Sequence, residues 1–210
     1  MAILVNPVAH LERIARWANM PRHPIMRAPF AIEARGLRWV VGASHAFAVA
    51  LRSDEIEARD LDSAHVDRVL DTVFGGVAHG MKAPGNRLAA LKEWCGPVDW
   101  PVAEQCPKCK GEQTVPMCDF CDGVGTMIPC HDQRPGWIGD TLIDRAFLAW
   151  TLEPFHDEHV AVGGFGRLDA LMVVGSGWIV LVMPRADHAA QRNAPHLTAL
   201  SDQQSRAGHA

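Results

Sequence analysis

The sequence predicts an α+β fold: two pseudo-symmetric βαβββ units that form one domain, parted by a long insertion. Three observations predict it. A stretch near the N-terminus and one near the C-terminus align without a gap at an offset of 133 residues. Both read as a helix followed by three strands. Between them stand two Cys-x-x-Cys pairs, which mark the insertion as a metal-binding segment.

The elements follow in order. Residues 2–5 (AILV) read as a short strand. Asn6-Pro7 starts a helix, because proline is tolerated in the first turn, where its missing N–H has no intrahelical partner. Val8, Leu11, Ile14, Ala15 and Ala18 share one face, so the helix runs over about 7–19 and Pro21 and Pro24 end it. Residues 28–35 and 37–43 read as strands turning at Gly36, and 45–51 as a third. In the second unit the helix runs from about Asp140 to Leu152 and Pro154 stops it. Strands follow at about 158–163, 168–174 and 177–183.

The repeat is explicit in the residues. Trp17 matches Trp150, Pro21 matches Pro154, and His23 matches His156. Val40-Val41-Gly42 matches Val173-Val174-Gly175. Arg52 matches Arg185 and Asp54 matches Asp187. Ten positions of 17–54 are identical to 150–187, where chance gives about three. The first unit covers 1–54 and the second 134–187. Two such units pack side by side, helices on one face and a continuous sheet on the other.

The insertion covers 55–133, with helices expected within 55–95 and a zinc knuckle over 104–131. An apolar stripe of Ile56, Leu61, Val66, Val69, Leu70 and Val73 ends at Gly75-Gly76. Arg87 to Trp94 reads as a second short helix. The knuckle holds Cys106/Cys109 and Cys118/Cys121, with eight residues between the pairs. Four thiolates at this spacing close a tetrahedron around one structural Zn²⁺. Gly111 and Gly123 supply the backbone freedom of the turns. Cys95, Cys130 and His131 lie close enough in sequence to substitute as ligands. Residues 188–210 lack an apolar period and read as a flexible tail.

Composition bounds the rest. With 210 residues, 48% hydrophobic and 21% charged, the chain can bury a sizeable core. The net charge of −4 argues against a general basic coat for nucleic acid. The N-terminus has only a short apolar run before Pro7, so neither a signal peptide nor a membrane span is expected. Cys-x-x-Cys pairs without an export signal point to a reducing, cytoplasmic setting.

Two resemblances follow from quoted residues. Cys118-Asp119-Phe120-Cys121-Asp122-Gly123-Val124-Gly125 is similar to the CxxCxGxG element of the DnaJ-type cysteine-rich zinc domain. Cys106 to Gln113 matches it except that Gln113 replaces the last glycine. Two elements instead of four resemble half of that domain, with one zinc. Separately, LIDRAFLAWTLEPFHDEHVAV and GRLDALMVVGSGWIVLVMPR resemble the helix and the closing strands of the bacterial DNA polymerase sliding clamp. PFAIEARGLRWVVGASHAFAVAL resembles the clamp strands whose turn carries Thr-Asp-Gly, here replaced by Ala43-Ser44-His45. The clamp resemblance implies two βαβββ units per domain, self-association into a ring, and helices that face duplex DNA.

A clamp-like reading makes Arg13, Arg16 and Arg145 candidate phosphate contacts, with or without His10, which shares the stripe of Arg13 and Arg16. Lys108 and Lys110 are further candidates in the knuckle. Asp140 and Asp144 offset Arg145, and Asp119 and Asp122 offset the two lysines. His156-Asp157-Glu158-His159 is metal-capable in composition but sits at a helix–strand junction. No GxSxG or Walker loop is present, and no Cys–His arrangement supports nucleophilic catalysis. The expectation is a non-enzymatic zinc-binding accessory factor of DNA replication or another DNA transaction, whose knuckle meets a protein or nucleic-acid partner. The alternative is a DnaJ-type zinc adaptor that binds polypeptide clients.

Overall fold

The computed structural model describes residues 6–17, 28–34, 36–44, 46–60, 86–100, 102, 104–112, 118, 125–127, 134–157, 159–163, 170–187 and 191–197. For Pro7, Arg16, Trp17, Asp60, Asn86, Thr126 and Met127 it describes the backbone alone. The expected strand at 2–5 and residues 61–76 of the expected first helical stretch lie outside these residues; the start of that stretch, 55–60, is not helical and ends in a short strand at Arg59–Asp60.

Helix α1 spans Pro7–Trp17. Asn6 caps it, its Oδ1 accepting the Val8 N–H at 2.9 Å. Strands β1 (Phe30–Ala34), β2 (Leu37–Ala43) and β3 (Phe47–Arg52) follow as an antiparallel meander. Gly36 turns the first hairpin at φ +70°, a left-handed conformation that a side chain disfavours. Two-residue strands β4 (Arg59–Asp60) and β5 (Asn86–Arg87) come next, then helix α2 (Leu88–Cys95). The short strands β6 (Glu104–Gln105) and β7 (Thr126–Met127) bracket the knuckle. Strands β8 (Pro135–Ile138) and β9 (Thr141–Asp144) form a separate hairpin that leads into helix α3 (Arg145–Leu152). Strands β10 (His159–Gly163), β11 (Leu171–Gly175) and β12 (Trp178–Val182) form the second meander.

The two meanders join into one sheet because β3 pairs antiparallel with β12, Val49 opposite Val180. The order is β4-β1-β2-β3-β12-β11-β10-β5, six antiparallel strands with a two-residue strand at each edge. Alternation sends Val40, Val49, Val173 and Val180 to one face and Val41, Ala50, Met172 and Leu181 to the other. The first face packs against α1, α2 and α3. Leu11, Ile14, Leu91, Leu148 and Trp150 are buried there at 1% exposure or less. Burying one such large side chain contributes about 1.5–3 kcal/mol, so this layer is the main source of stability.

Two repeat-matched glycines serve different contacts. A Cβ on Gly42 would stand 2.7 Å from the Leu11 carbonyl oxygen, so the missing side chain lets α1 lie on β2. A Cβ on Gly175 would meet the Trp178 indole at 2.1 Å, so that ring lies across the strand. The turns differ as well: residues 44–46 join β2 to β3, whereas Ser176-Gly177 alone join β11 to β12. Trp178 then stacks on Phe155 with centroids 4.0 Å apart, and its indole N–H donates to Asp157.

Three local expectations change. The helix expected from Asp140 starts at Arg145, because Thr141–Asp144 pairs with β8 across a turn at Gly139, φ +58°. Asp144 then caps α3 by accepting the Ala146 N–H at 3.0 Å. Met183, the end of the strand expected over 177–183, lies past the end of β12 and is 44% exposed. Residues 191–197, placed by composition in a flexible tail, lie along β8: the Trp137 N–H donates to the Pro195 carbonyl, and the Leu197 N–H to the Trp137 carbonyl.

Candidate metal centre

The pairing of β6 with β7, Gln105 opposite Thr126, closes the base of the knuckle. The Cys106 N–H donates to the Gly125 carbonyl at 2.9 Å, which carries the ladder up to the first cysteine. The chain then turns tightly: the Lys110 N–H reaches the Cys106 carbonyl at 2.7 Å and the Glu112 N–H the Cys109 carbonyl at 2.9 Å. Lys110 and Gly111 both take positive φ, 49° and 78°. A Cβ on Gly125 would sit 3.1 Å from the Gly111 carbonyl oxygen, so glycine is what allows residue 125 to lie against the turn that ends at Gly111.

This folding brings Cys106, Cys109 and Cys118 together. Their sulfurs all lie within 4.8 Å of one another, and those of Cys106 and Cys118 are 3.9 Å apart. A tetrahedron with zinc–sulfur bonds of ~2.3 Å has edges of about 3.8 Å, so the Cys106–Cys118 spacing fits two ligands of one ion. A disulfide needs about 2.05 Å, and none of the three cysteines is in one. All three are buried and form a cluster of their own, apart from the main core. Three close cysteines can therefore hold a metal ion, and soft thiolates suit zinc, iron or copper(I). Among the described residues no other group of three His, Cys, Asp or Glu side chains converges this way. Cys121, the expected fourth ligand, lies outside the described residues, as do Cys130 and His131.

Cys95 belongs elsewhere. It is buried in the main core at the end of α2, where desolvation pushes its thiol pKa up to about 12. It is an inert core residue there, outside the thiol cluster. Around His156, Asp157 accepts hydrogen bonds from the Ser176 N–H and the Trp178 indole, which is a structural role.

The candidate cations are dispersed. Lys108 and Lys110 are exposed on the knuckle turn. Arg13 is half-exposed on α1, 3.5 Å from Glu153 and 5.1 Å above the Trp100 ring. Arg145 turns inward: its Nη1 donates to the Trp94 carbonyl at 2.9 Å, and its guanidinium lies 5.5 Å from the Trp94 ring centre. The Arg16 side chain lies outside the described atoms. His10 does not share an exposed stripe with Arg13. It is fully buried, edge-on to Trp100 and Phe155, and neither ring nitrogen makes a well-formed hydrogen bond. Desolvation lowers its pKa to about 4, with the Thr151 backbone offsetting part of the shift and the charge on Arg13 adding to it.

Sequence reasoning missed a second feature. An open cleft of about 420 Å³ lies between α2 and α3, lined by Lys92, Pro97, Val98, Trp100, Trp150 and Glu153. Trp100 stacks on Trp150 at 5.3 Å. The Lys92 ammonium is spent on the Glu153 and Phe155 carbonyls, at 3.1 and 2.6 Å. Burial lowers its pKa, against the pull of Glu153. The only sequence signal was Trp100 next to a proline, outside any periodic element.

No family model and no curated protein matches the chain. Among solved structures, the chain is similar at a TM-score of 0.39 and 7% identity to DNA polymerase III subunit beta from Borrelia burgdorferi, over 87% of this chain and 63% of that one. It is similar at 0.38 and 9% identity to the DNA polymerase III beta subunit from Thermotoga maritima, over 85% of this chain and 64% of that one. The chain thus spans under two thirds of the length of either. The described residues contain no helix long and apolar enough to cross a membrane. At these scores the likeness is a weak one in a mixed α+β architecture, and it assigns the chain to no family.

Proposed function

We propose that this protein is a non-enzymatic zinc-knuckle protein that contacts nucleic acid through the knuckle. The observation that carries the reading is the buried cluster of Cys106, Cys109 and Cys118. Cys121 completes the ligand set, following the Cys-x-x-Cys spacing. A closed four-thiolate site leaves no open position for water, so the zinc is structural. The ion holds together a segment too poor in apolar side chains to fold alone. The βαβββ halves are a duplicated scaffold, and the insertion is what the scaffold displays. Weak likeness to polymerase clamps adds no weight here.

Lys108 and Lys110 supply the phosphate contacts, because both are exposed on a turn held by its own backbone hydrogen bonds. Arg13 and Arg145 are engaged with Glu153 and Trp94, so the helix layer adds little positive charge. The test is fluorescence anisotropy with a labelled DNA duplex at low salt. The reading expects binding that weakens with salt, with a log–log slope near 2 for two phosphate contacts. Lys108→Glu with Lys110→Glu is expected to remove that binding while the zinc stays. Retention of DNA by the double variant, or no binding at low salt, overturns the nucleic-acid part.

A further inference from the structure

The last described segment of the chain is bound like a ligand. Residues 195–197 run parallel to β8 at its outer edge, bridging at His196 and Trp137. The Trp137 N–H donates to the Pro195 carbonyl at 2.9 Å, and the Leu197 N–H donates to the Trp137 carbonyl at 2.8 Å. The Trp137 indole N–H donates to the Gln191 carbonyl at 3.0 Å. His196 stacks on the Trp137 ring, 5.8 Å between centroids and 10° from parallel. Leu197 packs its side chain against the main core.

Two physical facts make this contact exchangeable. The hairpin β8–β9 is a sheet of two strands only; Ile138 and Ile143 anchor it in the main core, while the outer edge of β8 offers main-chain groups that a third strand can pair. The strap that supplies it is mostly exposed: Arg192, Asn193, Pro195 and His196 all face solvent. Its hold on the sheet–helix core is through Leu197. Before the strap the chain is pinned, since the Arg185 N–H donates to the Leu142 carbonyl and its guanidinium clasps Asp187. Residues 188–190 alone connect that pinned point to the strap.

We propose that the outer edge of β8 is a strand-docking site shared between two copies of this chain, each copy's residues 191–197 lying on the partner's β8. The sequence that fits the edge is the chain's own, so a second copy offers every contact that the strap makes within one chain. Exchange of this kind is a low-cost route to a dimer, and it is reciprocal, so two edges are closed at once. The balance between the closed monomer and the exchanged dimer is set by concentration and by the short connection through 188–190.

The test uses the full chain. Light scattering across a concentration series is expected to show the apparent mass of the wild type rising to twice the monomer. Two differently tagged preparations are expected to form mixed dimers on incubation. Leu197→Asp is expected to hold the chain at monomer mass, with tryptophan near-ultraviolet circular dichroism confirming its fold. An excess of a synthetic peptide copying residues 191–197 is expected to return wild type to monomer, which tests the contact without any variant. A wild type that stays monomeric at its highest soluble concentration overturns the proposal. So does a dimer that neither the variant nor the peptide disrupts.

Discussion

The sulfurs of Cys106 and Cys118 lie 3.9 Å apart although twelve positions separate the two residues in the chain. Each belongs to a different Cys-x-x-Cys pair, so the contact brings the two pairs into one site. It is built on a two-rung ladder, β6 with β7, and on the close approach of Gly125 to Gly111.

That construction makes the knuckle and the scaffold separable. The three cysteines form their own cluster, and the main core contains none of them. Cys106→Ser is expected to abolish metal binding and to make residues 104–127 sensitive to protease. Near-ultraviolet circular dichroism of the buried tryptophans is expected to stay unchanged. Collapse of the tryptophan signal in that variant would show that metal and scaffold fold as one unit.

Gly125→Ala is expected to weaken the metal site without removing a ligand. The residue sits at φ +79°, and the added Cβ would press on the Gly111 carbonyl at 3.1 Å. Backbone strain of this kind costs about 1–3 kcal/mol, which lowers metal affinity roughly tenfold to a hundredfold. Competition with a chelator of known affinity measures it. Unchanged affinity would mean that the turns do not need their close approach.

Gly42→Ala is expected to destabilise the scaffold and leave the metal alone. Its Cβ would meet the Leu11 backbone oxygen at 2.7 Å, so α1 has to lift from β2. Overpacking of this sort costs about 1–3 kcal/mol. Thermal or urea denaturation reads the loss directly, and no loss would place α1 farther from the sheet.

His10 sets a pH dependence whose sign is fixed by its burial. The folded pKa is lowered to about 4 from an ordinary 6.5, so between those values the unfolded chain binds more protons. Stability is therefore full above about pH 6.5 and falls as pH drops toward about 4, by up to roughly 3 kcal/mol for this shift. His10→Phe is expected to flatten the profile over that window. A wild-type profile already flat from pH 7 to 4 would contradict the burial of a neutral imidazole.

Much of the fold was legible from the residues alone, for local reasons. The short apolar runs of Leu37–Ala43 and Leu171–Gly175 mark strands by composition and length, and the stripe of Leu11, Ile14 and Ala15 marks a helix by period. Pro7 and Asn6 fix the start of α1 by capping chemistry. The hairpin over 135–144 was not legible, because Thr141 to Leu152 reads as one apolar helical run. Only the pairing with β8 shows that Asp144 ends a strand and caps α3. The equivalence of the two halves is left where the sequence put it: the ends of the matched hairpins turn differently.

The candidate site divides in the same way. Cysteine spacing is a local signal, so the convergence of Cys106, Cys109 and Cys118 was legible by counting. The arginines were not: Arg145 turning onto Trp94 and His10 sinking beneath Trp100 and Phe155 depend on residues distant in sequence. The docking of 191–197 on Trp137 had no compositional signal, because two main-chain hydrogen bonds carry it.

Elemental analysis of the purified chain tests the central claim most directly. The account predicts one zinc per chain in the wild type, and loss of that zinc in Cys118→Ser with the scaffold still folded. A wild type purified under reducing conditions that binds no added zinc, or a Cys118→Ser variant that keeps full occupancy, would contradict it.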